Sequence, residues 1–201
     1  MIEVYDGFFP TGIADEMLQY VASIDGWADF QRNESHMKEY YDVDFLVRAR
    51  FTSKAMTQWV QEETGINGLL VDPIGVGEGV SKMVEGDKIN LHVDFNWNER
   101  CKLNREVTMM YYLGICEGGE LIVGDREIKP MHNTMVMFTQ KENYPHEVKT
   151  VTRGFRFNIR TFFYSSNATP IEKPHQSLYW HDGDTFYNPS PNMPTNSNDK
   201  D

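Results

Sequence analysis

His92-Val93-Asp94 puts an imidazole and a carboxylate two residues apart, and a second imidazole, His146, follows much later in the chain. Side chains at i and i+2 of a strand point to the same face. His92 and Asp94 can therefore converge on one ion, with His146 arriving from a strand folded against the first. Two histidines and one carboxylate on one side of an octahedral metal leave positions open, as a non-haem Fe(II) centre needs in order to take up a cosubstrate and O2. The triplet alone is weak, because a chain with this many His and Asp forms His-x-Asp by chance often enough that a lone match is more often structural. Context strengthens it. His146 follows Tyr144-Pro145, and the proline fixes the backbone just ahead of the third ligand.

A cosubstrate such as 2-oxoglutarate chelates iron through its keto-acid end and leaves a far carboxylate in need of a cation. Arginine suits that task, since its planar fork matches a carboxylate bidentately and keeps its charge. Arg156 opens the run RFNIRTFFY at 156–164, ten residues beyond His146. Arg160 shares its strand face and stays a rival for the carboxylate. Arg153, beside Gly154, reads as a turn residue.

These groups need a scaffold, and the chain changes character along its length. Thr11 to Ile24 follows Pro10 and carries Ile13, Met17, Leu18 and Val21 at helical spacing, and Ser53 to Glu63 reads as a second helix, capped by Ser53 and stopped before Gly65. Phe30 to Tyr41 is polar and charged and reads as a long surface excursion, a candidate lid. Beyond it come short runs rich in β-branched and aromatic residues: Lys88–Val93, Val107–Leu113, Glu120–Val123, Thr134–Thr139, His146–Val151 and Phe155–Tyr164. Helices followed by many short strands predict a mainly β fold, a sandwich or jelly roll braced by N-terminal helices. We read one domain over 1–187, with helical support over about 1–65, a β core over about 66–165 and an extension at 166–187 whose aromatics suggest that it packs back. The end, NPSPNMPTNSNDKD at 188–201, reads as a flexible tail.

The net charge of -11 and pI near 5.0 argue against a nucleic-acid partner, which would ask for a basic stripe. Cys101 and Cys116 are too few for a disulfide framework. With no leader pattern and no apolar run of membrane length, a soluble cytoplasmic protein with no membrane partner is expected.

Three stretches, GDKINLHVDFNWNERCKLNREVTMMYYLG (86–114), GGELIV (118–123) and YPHEVKTVTRGFRFNIRTFFY (144–164), together resemble the Fe(II)/2-oxoglutarate-dependent dioxygenase superfamily. The likeness is to bacterial and phage members of its prolyl-hydroxylase-like branch, and it rests on His-x-Asp-Phe-Asn, Arg105, the Tyr111-Tyr112-Leu113 strand and the Gly118-Gly119-Glu120-Leu121 turn. The resemblance implies a double-stranded β-helix, a cupin-like jelly roll with iron at one open end. It implies His92, Asp94 and His146 as metal ligands, Arg156 and Tyr112 on the far carboxylate of 2-oxoglutarate, and Met110 and Leu121 as walls of that pocket. Asn90 stands where this branch often has Tyr, and one extra residue lies around Arg153-Gly154 before the arginine. The implied activity is a hydroxylation coupled to decarboxylation of 2-oxoglutarate to succinate and CO2, with Fe(II), 2-oxoglutarate, O2 and auxiliary ascorbate. The implied substrate is a prolyl or other residue in a peptide or protein.

Two alternatives stay open at this level: a hydroxylase of a free small molecule such as an amino acid or sugar derivative, and a non-catalytic jelly-roll binding module. Trp97 and Arg100, just past the iron motif, join Arg160 as candidate substrate contacts. His132, His175 and His181 with Asp182 and Asp184 read as surface or packing groups. Met109, Met135 and Met137 read as strand core.

Overall fold

The structure, a computed structural model, describes residues 1–32, 35–72, 78–98, 100–140, 144–165, 178–181 and 185–187. In chain order the first elements are β1 (Ile2–Asp6), α1 (Thr11–Ser23), β2 (Ala28–Arg32), β3 (Ser35–Tyr40), α2 (Phe45–Thr52) and α3 (Lys54–Thr64). Then come β4 (Leu69–Val71), β5 (Gly79–Met83), β6 (Ile89–Val93), β7 (Trp97–Asn98), β8 (Leu103–Leu113), β9 (Cys116–Gly118), β10 (Leu121–Val123) and β11 (Arg126–Ile128). The chain continues with β12 (Thr134–Thr139), β13 (His146–Val148), β14 (Val151–Gly154), β15 (Arg156–Ser165), β16 (Leu178–His181) and β17 (Thr185–Tyr187).

One large antiparallel sheet runs β1-β12-β8-β15-β5-β3-β2, with β4 on β15 and β7 on β8, and a second runs β11-β10-β13-β6-β16-β17. Strand alternation sorts the two faces of the large sheet. Val107, Met109, Tyr111 and Leu113 of β8 pack with Phe157 and Ile159 of β15 against Met17 and Val21 of α1 and Phe51 and Val60 of α2 and α3. Met110 and Tyr112 face the other way and share a second core with Leu121, Val123 and Val148 of the small sheet. The result is the jelly-roll double-stranded β-helix, with helices on its outer face and the cavity between its sheets.

Both expected helices form, α1 directly after Pro10 without a side-chain cap and α3 between its two caps. The Ser53 side chain accepts a hydrogen bond from the Met56 amide at 3.2 Å, and Gly65 closes α3 in the left-handed conformation, its N–H on the Gln61 carbonyl. The expected excursion at 30–41 is corrected: it contains the β2–β3 hairpin, whose second strand joins the large sheet beside β5. Ser35, Met37 and Glu39 are buried in alternation along β3. Arg153 is likewise corrected, since it lies in β14 and pairs with Glu117 of β9, and only Gly154 takes a positive φ. α2 and β1 were not foreseen. α2 buries only Val47 and Phe51, too little to show a helical stripe, while β1 pairs with β12, a partner far along the chain. Residues 166–177 and 188–201 lie outside the described residues, as do His175, Asp182 and Asp184.

Glu78, just ahead of β5, is buried, and its Oε1 has no partner among the described residues. Burial first, then repulsion from Asp72, pushes its carboxyl up to about 7, against Arg48 and Arg105. The folded state therefore holds the proton more tightly than the unfolded chain. The associated stability is fully present below about pH 4.5 and is lost as pH rises through about 7. Glu78→Gln, neutral at every pH, is expected to stabilise the protein by on the order of 2 kcal/mol at pH 8, roughly 5 °C in Tm. At pH 5 the difference should nearly vanish. Melting curves at the two pH values check this, and equal shifts at both would refute it.

Candidate active site

The three candidate ligands meet because of strand pairing. His146 of β13 is the direct cross-strand partner of His92 of β6, and the two ring centroids lie 4.1 Å apart. Asp94 follows one residue beyond the end of β6. Its Oδ1 lies 3.8 Å from His92 Nε2 and its Oδ2 4.0 Å from His146 Nε2. One ligand atom from each of the three lies within 4.8 Å of the others.

The tautomers are set by the backbone. His92 Nδ1 donates to the Asn90 carbonyl and His146 Nδ1 to the Tyr144 carbonyl, each at 2.9 Å, which leaves both Nε2 lone pairs directed at Asp94. Burial first, and then the neighbouring His146, pushes His92 down to about 3, so its ring stays neutral. Asp94 behaves oppositely. Burial raises its carboxyl, but Arg105 and the two histidines outweigh that and hold it below the usual range. Arg105 supplies the nearest cation, Nη1 to Oδ2 at 3.3 Å, and its guanidinium is clamped between the Phe95 and Phe162 rings at 3.7 Å each.

A cavity of about 170 Å³ opens from these ligands. β15 forms one long wall, with Arg156, Asn158, Arg160 and Phe162 alternating inward. Arg156 is 1% exposed, yet no carboxylate pairs with it among the described residues. Its Nη2 donates to the Tyr112 hydroxyl and its Nη1 meets the Met83 sulfur, both at 3.3 Å, while Nε has no partner among the described residues. Burying an uncompensated cation is costly, so this end of the cavity is built for an anion. Gly119 makes room for it: a Cβ there would stand 3.1 Å from Arg156 Cδ, at a φ of +69°. Arg160, by contrast, is already matched by Glu39 of β3 at 2.7 Å.

The sequence profile of the 2OG-Fe(II) oxygenase superfamily matches residues 79–164, the stretch that holds every group just described except Glu39. The chain carries a 2OG-Fe(II) oxygenase domain. The oxygenase is similar in fold to a viral collagen prolyl hydroxylase from Paramecium Bursaria Chlorella virus-1, solved with 2OG, at a TM-score of 0.61 and 18% identity, over 83% of this chain and 96% of that one. A Pseudomonas putida prolyl-4-hydroxylase superposes with a TM-score of 0.63 and 15% identity, over 83% and 93% of the two chains. A Trichoplax adhaerens prolyl hydroxylase, in complex with a hypoxia inducible factor peptide fragment, gives 0.61 and 19%, over 83% and 84%. No curated protein matches the chain in sequence.

The oxygenase works with Fe(II), 2-oxoglutarate and O2, and its residues fit the first two. Two imidazoles, that of His92 neutral, and one ionised carboxylate form an oxygen–nitrogen donor set suited to Fe(II). The buried, anion-seeking Arg156 suits a dicarboxylate. Met110 and Leu121 line the cavity, and Tyr112 reaches it through Arg156. Asn90 does not line it and meets the site through its carbonyl on His92. Trp97 is buried in β7 beside Asn104 and Arg100 lies on an exposed turn, so neither lines the cavity. Arg105 and Glu39 were missed as site residues. In the sequence Arg105 is only a motif match, and Glu39 sits in a hairpin whose polarity hides it. No helix among the described residues is long and apolar enough to cross a membrane.

Proposed function

We propose that the oxygenase hydroxylates a prolyl or other residue of a peptide or protein. Fe(II) is held by His92, Asp94 and His146, and the far carboxylate of 2-oxoglutarate by Arg156 and Tyr112. The observation that carries this reading is the buried Arg156, without a counter-charge among the described residues, in the same cavity as the ligand triad. The fold shared with prolyl hydroxylases, one of them holding a peptide fragment, supports the substrate class. Two free thiols, Cys101 and Cys116, suit a reducing compartment such as the cytoplasm.

When bound, the iron with 2-oxoglutarate and O2 supplies the oxidation, in which 2-oxoglutarate becomes succinate and CO2 and one oxygen atom enters a substrate C–H bond. The chain's own tasks are positional. The Asn90 and Tyr144 carbonyls fix the two imidazoles, and Arg105 holds Asp94 ionised and oriented. Tyr112, kept protonated by burial despite Arg156, can donate to the same carboxylate as the guanidinium. Met110, Leu121 and Val148 keep water from that end of the cavity.

Arg105→Leu removes the group that orients Asp94 while keeping an apolar body between Phe95 and Phe162. It is expected to weaken Fe(II) binding by roughly 10–100-fold. Anaerobic Fe(II) titration measures this, and unaltered affinity would show that Arg105 serves packing alone.

The function itself is tested by loading Fe(II) anaerobically, adding 2-oxoglutarate and air, and measuring succinate. Prolyl peptides are then scanned by mass spectrometry for the gain of one oxygen atom. Iron-dependent succinate with an oxidised peptide establishes the reading. No succinate, and no iron-dependent binding of 2-oxoglutarate, would leave a binding module.

A further inference from the structure

The far end of the cavity contains a charge pair that the iron and cosubstrate do not use. Arg160 lies four residues past Arg156 on the same face of β15, roughly 13 Å along the strand. Its Nη2 donates to Glu39 Oε1 at 2.7 Å, and the other Glu39 oxygen accepts from the Tyr41 hydroxyl. Glu39 and Arg160 are largely buried, with side chains 11% and 15% exposed, and both line the cavity alongside Asp94, Phe95 and Phe162. The Nε–H of Arg160 has no acceptor among the described residues.

An arginine whose charge is already balanced is a different recognition element from a lone one. Arg156 calls for an anion. Arg160 with Glu39 is a donor of no net charge, and a carboxylate brought beside it would also be brought beside Glu39, whose repulsion offsets the attraction. A neutral acceptor meets no such penalty, and a guanidinium that lines the cavity can donate to it. The two arginines thus divide the cavity into a dicarboxylate end and a neutral-acceptor end.

We propose that Arg160, neutralised by Glu39, is the specificity-determining donor to a backbone carbonyl of the primary substrate, so that the oxygenase selects a prolyl residue whose carboxyl is in amide linkage over one with a free carboxylate. This rests on the reading of the cavity as the active site. It goes further by naming the residues that separate peptide from free acid.

The test compares N-acetyl-L-proline N′-methylamide with N-acetyl-L-proline as probes, reading kcat/KM from succinate release above the substrate-free rate. Wild type should prefer the amide by about tenfold or more. Glu39→Gln, near in shape and able to accept the same hydrogen bond, leaves the Arg160 charge unbalanced and should raise kcat/KM for the acid by about tenfold, closing the gap. Glu39→Gln/Arg160→Met, which removes both charges and the donor together, should lose the preference from the other side, by lowering the amide about tenfold. A wild type indifferent between the probes, or a preference unchanged in both variants, overturns the proposal. If neither probe accelerates succinate release, the proposal also falls, while iron-dependent succinate without substrate still upholds the oxygenase centre.

Discussion

Asp94→Ala is expected to abolish iron-dependent succinate formation, by at least about a thousandfold, and to reduce bound Fe(II) to background. Asp94 is the only carboxylate of the triad, and without it two imidazoles remain, 4.1 Å apart between ring centroids. Fe(II) is then left with one ligand fewer and no negative charge among its protein donors. The substitution also strands Arg105, which is 3% exposed, and an uncompensated buried cation costs about 3 kcal/mol or more. A loss of activity alone would therefore be ambiguous between a missing ligand and a damaged fold. The double variant Asp94→Ala/Arg105→Leu separates them, because it removes both charges together and should recover much of the thermal stability without recovering iron or succinate. Recovery of turnover in that variant would sink the assignment of Asp94 as a ligand.

Arg156→Met carries the second large effect, and its two consequences have opposite signs. The concentration of 2-oxoglutarate needed for half-maximal turnover should rise by about 100-fold or more, since a charge-assisted, bidentate contact in a dry pocket is lost. At the same time the ligand-free protein should become no less stable, and by the cost of an unpaired buried cation more stable, because the substitution removes a charge that nothing among the described residues balances. A structural arginine behaves in the reverse way, with stability falling and the cosubstrate requirement unchanged. Arg160→Ala should leave the 2-oxoglutarate requirement near its wild-type value, because Glu39 already occupies that guanidinium. If Arg160→Ala raised it and Arg156→Met did not, the two arginines would have to exchange roles.

Much of the centre could be read from the chain alone, because its logic is local. His92 and Asp94 two residues apart, His146 after Pro145, and Arg156 at the head of an alternating strand each express a short-range rule. The Ser53 cap and Gly65 stop likewise encode α3 within a single turn of chain. Sequence favoured Arg156 but left Arg160 a rival, since both occupy the inward face of β15, and it left Arg105 with no task. Tertiary structure decided these. The β2–β3 hairpin docks beside β5, far along the chain, and brings Glu39 onto Arg160, which leaves Arg156 as the one of the two without a carboxylate among the described residues. The alternation of β3 was invisible to hydropathy because two of its three buried residues are Ser35 and Glu39, polar groups that the cavity needs and a hydrophobic pattern cannot announce. The pairing of Arg105 with Asp94 escaped for the same reason. A charge is buried only where another part of the fold meets it, and that meeting is a property of sheet order, not of neighbouring residues.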